Sequence, residues 1–402
     1  MVKTYFNDDK GLPDAQQLCF AKRTHAVPHG AGHRVVTPLH NLQPNPSAAL
    51  PVTHLTEEAI TAMSVPQLMR LRQDTPILRC GSNALLLTGH REVKEALEHP
   101  DLICTPPRQQ GVDQSPELAN LYDRLTNTKA AIEQTALQEA HLHCLHEQGV
   151  LLLQIASDVI RQQSTPQSSL DYSALIDCFV FTALCQFAGL PASEAPRYQA
   201  MLEGLTITEQ TGDKATVESV VMFHADLQDW AAATMPEQQG LLAALQHRKL
   251  TPEQAADCAL GVFVTGIQFT AAALKHLVAT LGATPSLAQQ LPNDSSTVIE
   301  EVLRLSPPQP MLKRAAAKSI TLCGVEVEAD TAVFLSLAAA NRDPKVFSQP
   351  DQLQSRSASS DSLTFHDGTH RCASALLSFN MISALLTQLA ADLTQAPAQP
   401  EG

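Results

Sequence analysis

Phe365-His366-Asp367-Gly368-Thr369-His370-Arg371-Cys372 leads directly into the largely apolar run Ala373 to Leu377. A single cysteine closes a short loop containing Gly368, with a helix-forming run behind it. This is the arrangement a thiolate ligand to haem iron needs. The loop lets backbone amides face the sulfur, and the N-terminal end of the following helix adds partial positive charge that stabilises the anion. In isolation a free cysteine is more often a small buried apolar residue. The pairing with Glu301-Val302-Leu303-Arg304 upstream makes the signal specific, because Glu301 and Arg304 stand one helical turn apart and can pair on one face.

Further motifs stand in order between these two. Arg314 follows the Glu-x-x-Arg pair, and Leu337-Ala-Ala-Ala-Asn341-Arg342-Asp343-Pro344-x-x-Phe347 precedes the cysteine loop. From Val298 to Leu377 the chain resembles the C-terminal third of bacterial cytochromes P-450, and weaker resemblance extends back to about Ser64. The resemblance implies a mainly α, single-domain fold with small β-sheets, residues 61–402 forming the haem domain and 1–60 an irregular segment that is part of it or packed on it. It implies haem b with Cys372 as the ligand to iron. Thr364, Phe365, Gly368, His370 and Ala373 would line the cofactor, and His370 and Arg314 would donate to its propionates, where charge-assisted bonds are strong. Glu301 and Arg304 would be structural. Arg356 is the nearby arginine for the third member of that group, one residue out of the usual register. A proximal thiolate pushes electron density onto iron and favours O–O cleavage.

The resemblance weakens at the helix that would cross the haem. Family members usually read Ala-Gly-x-(Asp/Glu)-Thr-Thr; this chain reads Thr265-Gly266-Ile267-Gln268-Phe269-Thr270. Gly266 is kept, where it would permit close approach over the ring. Gln268 stands for the acid and Phe269 for the threonine. Glutamine is no useful acid and phenylalanine makes no such hydrogen bond. General acid catalysis typically contributes 10²–10⁴-fold, so proton delivery to oxygen would suffer unless Thr265, or Thr270 with a water, substitutes. Where the family grips propionates with His-x-x-x-Arg, residues 127–137 offer only Lys129, and a later placement at His141 has Leu145 in place of arginine.

Three functions follow as expectations. The first is a monooxygenase that oxidises a small hydrophobic molecule in bacterial specialised metabolism. It would use O2 and separate ferredoxin- or flavodoxin-type electron donors, with no bound flavin or nicotinamide, because no Gly-rich phosphate loop is present. The second is an oxidative-coupling, peroxide-driven or rearrangement catalyst that does not need the acid–alcohol pair. The third is a degenerate, non-catalytic binding protein. Substrate would lie among Val262, Gly266, Phe269, Thr270, the loop at 105–120, and Met311-Leu312, since pockets are mostly apolar with few polar anchors.

Bulk properties agree. With 41 acidic against 27 basic residues, a net charge of −14 argues against a general nucleic-acid or anionic-membrane surface and leaves room for a local basic patch that meets an acidic redox partner. Nine cysteines without repeated spacing point to reduced thiols in a cytoplasm. The N-terminus has no apolar leader, and no apolar run is read as a membrane span, so a soluble cytoplasmic protein is expected. His141-Leu-His143-Cys144-Leu-His146 and His25, His29 and His33 are weaker metal candidates, because neighbouring histidines on a helix point apart.

The local pattern predicts irregular chain to about residue 60 and a helix over 64–73. Short strands follow at 76–80 and 84–88 around Gly81, then a helix at 90–97. Helical patterns cover 129–163 and 171–188, the latter stopped by Gly189-Leu-Pro191. Thr251-Pro252-Glu253-Gln254 is a capping box opening a long apolar helix to about Val278. Short β-pieces are expected at 320–323, 325–327 and 332–335, and a serine-rich loop at 355–362.

Overall fold

The capping box at Thr251 opens the longest apolar element of the computed structural model. Thr251 Oγ1 accepts from Gln254 N and the Gln254 side chain accepts from Thr251 N, at 3.2 and 3.0 Å. The structure describes residues 52–53, 55–81, 83–104, 131–164, 170–202, 214–235, 237–354, 361–365 and 374–395, with side chains described for only some of 131–149 and for none of 52–53, 104, 214–217 and 394–395. The loop at 105–126, Lys129, Arg356, Gly368, His370, Cys372 and Ala373 therefore lie outside the described residues, as do His25, His29 and His33. All the described residues belong to one unit, Ala48–Gly402.

The chain begins with β1 (Val52–Thr53), α1 (Glu57–Thr61) and α2 (Val65–Asp74), followed by β2 (Ile77–Cys80), β3 (Ala84–Leu87), α3 (His90–Glu98) and β4 (Leu102–Cys104). The expectation of irregular chain to residue 60 is corrected here. Thr56 caps α1, and β1 pairs with β2. The segment was illegible because a two-residue strand has no periodicity of its own.

Among the described residues, eleven helical segments follow up to residue 305, ten of them α or 3-10 and one a π segment. The ten are α4 (Ala131–Gln163), α5 (Tyr172–Ala188), a 3-10 turn (Ala192–Glu194), α6 (Ala195–Met201), α7 (Lys214–Ala233), α8 (Leu241–His247), α9 (Pro252–Thr265), α10 (Ala271–Ala283), α11 (Pro285–Ala288) and α12 (Leu291–Leu305). Asp171 caps α5 through its carboxylate, and Gly189 ends it at φ 90°, as the sequence predicts. Gly240, at φ 115°, opens α8 directly against Gly189, and a Cβ on it would lie 2.6 Å from the Gly189 nitrogen. Between α9 and α10 the helix widens into a π segment at Gly266–Thr270, which the sequence reading took as continuous helix. Such π segments occur mostly inside α-helices and often at functional sites.

The C-terminal part brings β5 (Met311–Ala316), β6 (Ile320–Leu322), β7 (Val325–Val327), β8 (Ala332–Ser336), α13 (Leu337–Ala340) and α14 (Ala375–Gln395). One sheet runs β1-β2-β3-β8-β5-β4, and β6-β7 form a separate hairpin. The sequence reading missed β5 because its alternation passes through Lys313 and Arg314. Strand alternation sends Leu85, Leu87, Leu312, Val333 and Leu335 to one face and Ala84, Leu86, Ala332 and Phe334 to the other. The first face packs on α3, the second on α1 and α2.

A larger core unites α4 to α12 and α14. Two helices in it, Pro252–Ala283 and Ala375–Leu393, are long and apolar enough by composition to cross a membrane, which corrects the expectation that no run is. Half of each apolar window is buried inside the fold. A helix apolar all round is a buried one.

Candidate functional site

Glu301 and Arg304 lie one turn apart on α12, the stretch after Asp294 departs from helical geometry and caps Thr297. Their ion pair is two-point: Arg304 Nε and Nη2 donate to Glu301 Oε2 and Oε1 at 2.8 and 2.9 Å. Arg304 Nη1 donates to the Asn341 and Pro350 carbonyls, and Nη2 also to that of Gln352. All five N–H donors of the guanidinium are thus used. The Phe347 ring lies 4.8 Å from the guanidinium carbon. The pair is buried. Its work is to tie α12 to the chain running from Asn341 to Gln354, whose amide donates to Glu301.

The segment entering the cysteine loop is fixed from three sides. Asn341 Oδ1 accepts from Leu363 N at 2.8 Å, and its amide donates to Thr364 Oγ1 at 3.1 Å. Thr364 Oγ1 donates to the Leu303 carbonyl at 3.0 Å. His90, on α3, meets the Asp361 carbonyl through Nε2 at 2.7 Å, while its amide donates to Asp343. Thr364 therefore anchors the segment that enters the loop. Asn341 and His90 were missed as site residues. The Asn-Arg-Asp-Pro stretch was a visible signal for Asn341, whereas His90, 271 residues from Asp361, had none. Phe365 is half-buried against the helical core.

Arg314 shares the face of β5 carrying Leu312, which clusters with Leu363 ahead of the loop. It is 7% exposed and its one hydrogen bond among the described residues goes to the Lys313 carbonyl. Among the described residues it has no carboxylate partner within ion-pair distance. A buried guanidinium without a counter-charge is costly, so this position suits an anionic ligand group.

On the long helix the expected residues divide among neighbours. Thr265 Oγ1 lies 2.8 Å from the Gly261 carbonyl and 3.2 Å from Ser374 Oγ. Thr270 Oγ1 donates to Ser378 Oγ at 2.8 Å, and both are buried. Both hydroxyls offered as substitutes for the family threonine are thus engaged with α14. Gly266 faces α5, where a Cβ would sit 2.8 Å from Leu184 Cδ2. Its small size serves helix packing, which differs from the expected approach over the ring. Gln268 and Phe269 are half-buried, and Phe269 joins none of the three core clusters.

Val262 and Leu312, at 2% and 1% exposure, belong to solid core. Met311 is half-buried against the opposite sheet face. On α4, His143 is exposed and Cys144 buried, so they point apart. No group of three metal-ligating side chains occurs among the described residues.

This architecture, a helical core with a long central helix and a buried ExxR pair on α12, is a mainly helical fold with small sheets that is shared with solved cytochrome P-450 structures. It matches P-450BioI bound to an acyl carrier protein ligated to hexadec-9Z-enoic acid, with a TM-score of 0.72, 21% identity, and 81% of this chain and 90% of that one covered. It also matches CalO2, with a TM-score of 0.71, 18% identity, and 81% and 87% covered. Residues 295–389 match the sequence model of the family described as Cytochrome P-450. The biotin biosynthesis cytochrome P-450 of Bacillus subtilis is 33% identical over 34% of this chain and 35% of its own length. The erythromycin C-12 hydroxylase of Saccharopolyspora erythraea is 32% identical over 34% and 36%. The chain thus spans about a third of the length of these curated relatives. Over residues 295–389 it is similar to the cytochrome P-450 family, and the solved structures share its fold.

Proposed function

We propose that this chain is a haem-thiolate oxidoreductase that oxidises a small hydrophobic molecule, with residues 61–402 as its haem domain. Haem b fits the residues present. Arg314, buried and without a carboxylate partner among the described residues, would hold a propionate, and His370, two residues before Cys372 in sequence, would be the second donor. The carrying observation is that both ends of the stretch 366–373 are fixed. Leu363 and Thr364 are held by Asn341 and Leu303, and Ser374 is held by Thr265. A ligand-bearing loop needs such fixed ends, because its precision comes from the rigid elements supporting it.

Bound haem would supply the redox chemistry and the protein the orientation and electrostatics. The ExxR pair would keep α12 and the loop in register. Phe269, outside the core clusters, would present an apolar surface to the substrate, and Gln268 a neutral amide. Electrons would come from separate ferredoxin- or flavodoxin-type donors in a bacterial cytoplasm. The relatives' names, a hydroxylase of erythromycin among them, support a substrate from specialised metabolism.

A second reading has its own observation. The Thr265 and Thr270 hydroxyls are bonded to serines of α14, and Gln268 and Phe269 occupy the acid and alcohol positions. This favours coupling, peroxide-driven or rearrangement chemistry that needs no such relay. Gln268→Glu with Phe269→Thr separates the two. With a hydrophobic molecule that perturbs the haem spectrum on binding, the monooxygenase gains product per reductant consumed, and the alternative catalyst gains none.

The first test is the absorption spectrum of the purified protein, reduced and exposed to carbon monoxide. The strongly red-shifted Soret band of thiolate-ligated haem is expected. No haem, or the band of a neutral-ligand haem, overturns the proposal and leaves a non-catalytic binding protein.

A further inference from the structure

Two hydroxyl pairs join the long helix to the helix that follows Cys372. Ser374 accepts the first helical bond of α14, from Ser378 N at 2.8 Å, and so occupies its N-cap. A serine there ordinarily turns its side chain back onto its own helix; here Ser374 Oγ is 3.2 Å from Thr265. A hydroxyl carries one proton. Thr265 Oγ1 is placed to donate to the Gly261 carbonyl at 2.8 Å and to Ser374 Oγ at 3.2 Å, so its one proton is shared between its own helix and α14. One turn further along each helix, Thr270 and Ser378 repeat the contact at 2.8 Å. Helix threonines commonly bond back to their own carbonyls, as Thr265 does. Thr270, at the end of the π segment, instead bonds across to α14.

We infer that Thr265–Ser374 and Thr270–Ser378 are positioning pairs that set the first turn of α14, and through it the thiolate two residues before Ser374, against the π segment. This rests on the haem-thiolate reading. Residues 374–378 form the α14 N-terminus, whose free amides carry partial positive charge that would stabilise a thiolate at the preceding Cys372. A shift of that turn moves both the sulfur and the field that keeps it ionised. The threonines of this helix thus act on the proximal ligand, a role separate from proton delivery on the opposite side.

The experiment uses the full-length holoprotein. Thr270→Val removes the hydroxyl at equal size, Thr270→Ser keeps it, and Ser378→Ala removes its partner. The readouts are the carbon monoxide spectrum of the reduced protein and amide hydrogen exchange over residues 375–379. Thr270→Val and Ser378→Ala are expected to move part of the thiolate band to that of neutral-thiol haem. They are also expected to speed exchange roughly two- to tenfold, the effect of one net hydrogen bond. Thr270→Ser should retain the parent spectrum, and the double variant should be no worse than either single one. Leu389→Ala, a buried change lower on the same helix, should reduce stability without moving the band. Unchanged spectra and exchange in Thr270→Val and Ser378→Ala overturn the inference, as does a band shift of equal size in Leu389→Ala. A parent protein without the thiolate band overturns the haem-thiolate reading itself. That is measured before any variant, so the two failures are distinct.

Discussion

The Arg304 guanidinium and the Glu301 carboxylate meet at two points, 2.8 and 2.9 Å apart, at 1% and 3% side-chain exposure. Removing one partner of a buried pair typically costs about 3–5 kcal/mol. Arg304→Ala and Glu301→Ala should each lose about that much in chemical denaturation. Replacing both by apolar residues often restores stability at other buried pairs. Here Glu301→Leu with Arg304→Met should not, because three main-chain carbonyls also depend on Arg304. Recovery to parent stability would show that those carbonyls find other donors.

The Gly266–Leu184 contact leaves no room for a methyl group. Gly266→Ala should destabilise by about 1–3 kcal/mol, the usual range for overpacking. Leu184→Ala alone should cost about 2–5 kcal/mol as a cavity. Combined, the two should cost less than their sum, and thermal melts of the four proteins give the coupling. Strict additivity would mean that the helices part rather than clash.

Phe263 and Phe269 are separated by less than two turns and differ in surroundings. Phe263 is 1% exposed and stacks edge-on against Phe223 at 4.9 Å, which in turn meets Tyr198 at 4.8 Å. Phe263→Ala should cost about 3–5 kcal/mol. Phe269→Ala should cost under about 1.5 kcal/mol, because Phe269 belongs to no core cluster. Equal losses would place Phe269 inside the core and remove it from the substrate surface.

Glu300 sits beside the ion pair on α12, with Oε2 buried and without a hydrogen-bond partner. Burial, helped by Asp294, raises its pKa from 4.5 to about 7. The folded chain then holds a proton that the unfolded chain releases between those values. Stability is therefore undiminished below about pH 4.5, falls as pH rises toward 7, and is flat above. Glu300→Gln removes this loss. It should match the parent at the acid end of the window and exceed it above the window by on the order of 1–2 kcal/mol, after discounting for partial exposure. Denaturation across the window checks it, and a parallel offset at all pH values would contradict it.

Much of the fold was legible along the chain because its signals are local. The capping box at Thr251 and Gln254, the Gly189 stop, and the one-turn spacing of Glu301 and Arg304 depend only on residues within a few positions of each other. The strands at Ile77–Cys80, Ala84–Leu87 and Ala332–Ser336 showed as short β-rich runs. Helices α6 to α8 were not resolved from the sequence, because their apolar stripes are broken by residues that pair across elements, such as Arg197 with Asp226.

The sequence by itself determined the ordered motifs of the C-terminal third, and with them the fold class, because residue identity and spacing alone carry those motifs. Tertiary structure alone decided which way each side chain of the long helix turns. Thr265 and Thr270 read as free hydroxyls over the site until α14 brings Ser374 and Ser378 to them from more than 100 positions away. Gly266 read as room for a ligand until α5 filled it with Leu184. A hydroxyl's partner and the space beside a glycine are properties of packing between distant segments, and neither leaves a mark on local sequence.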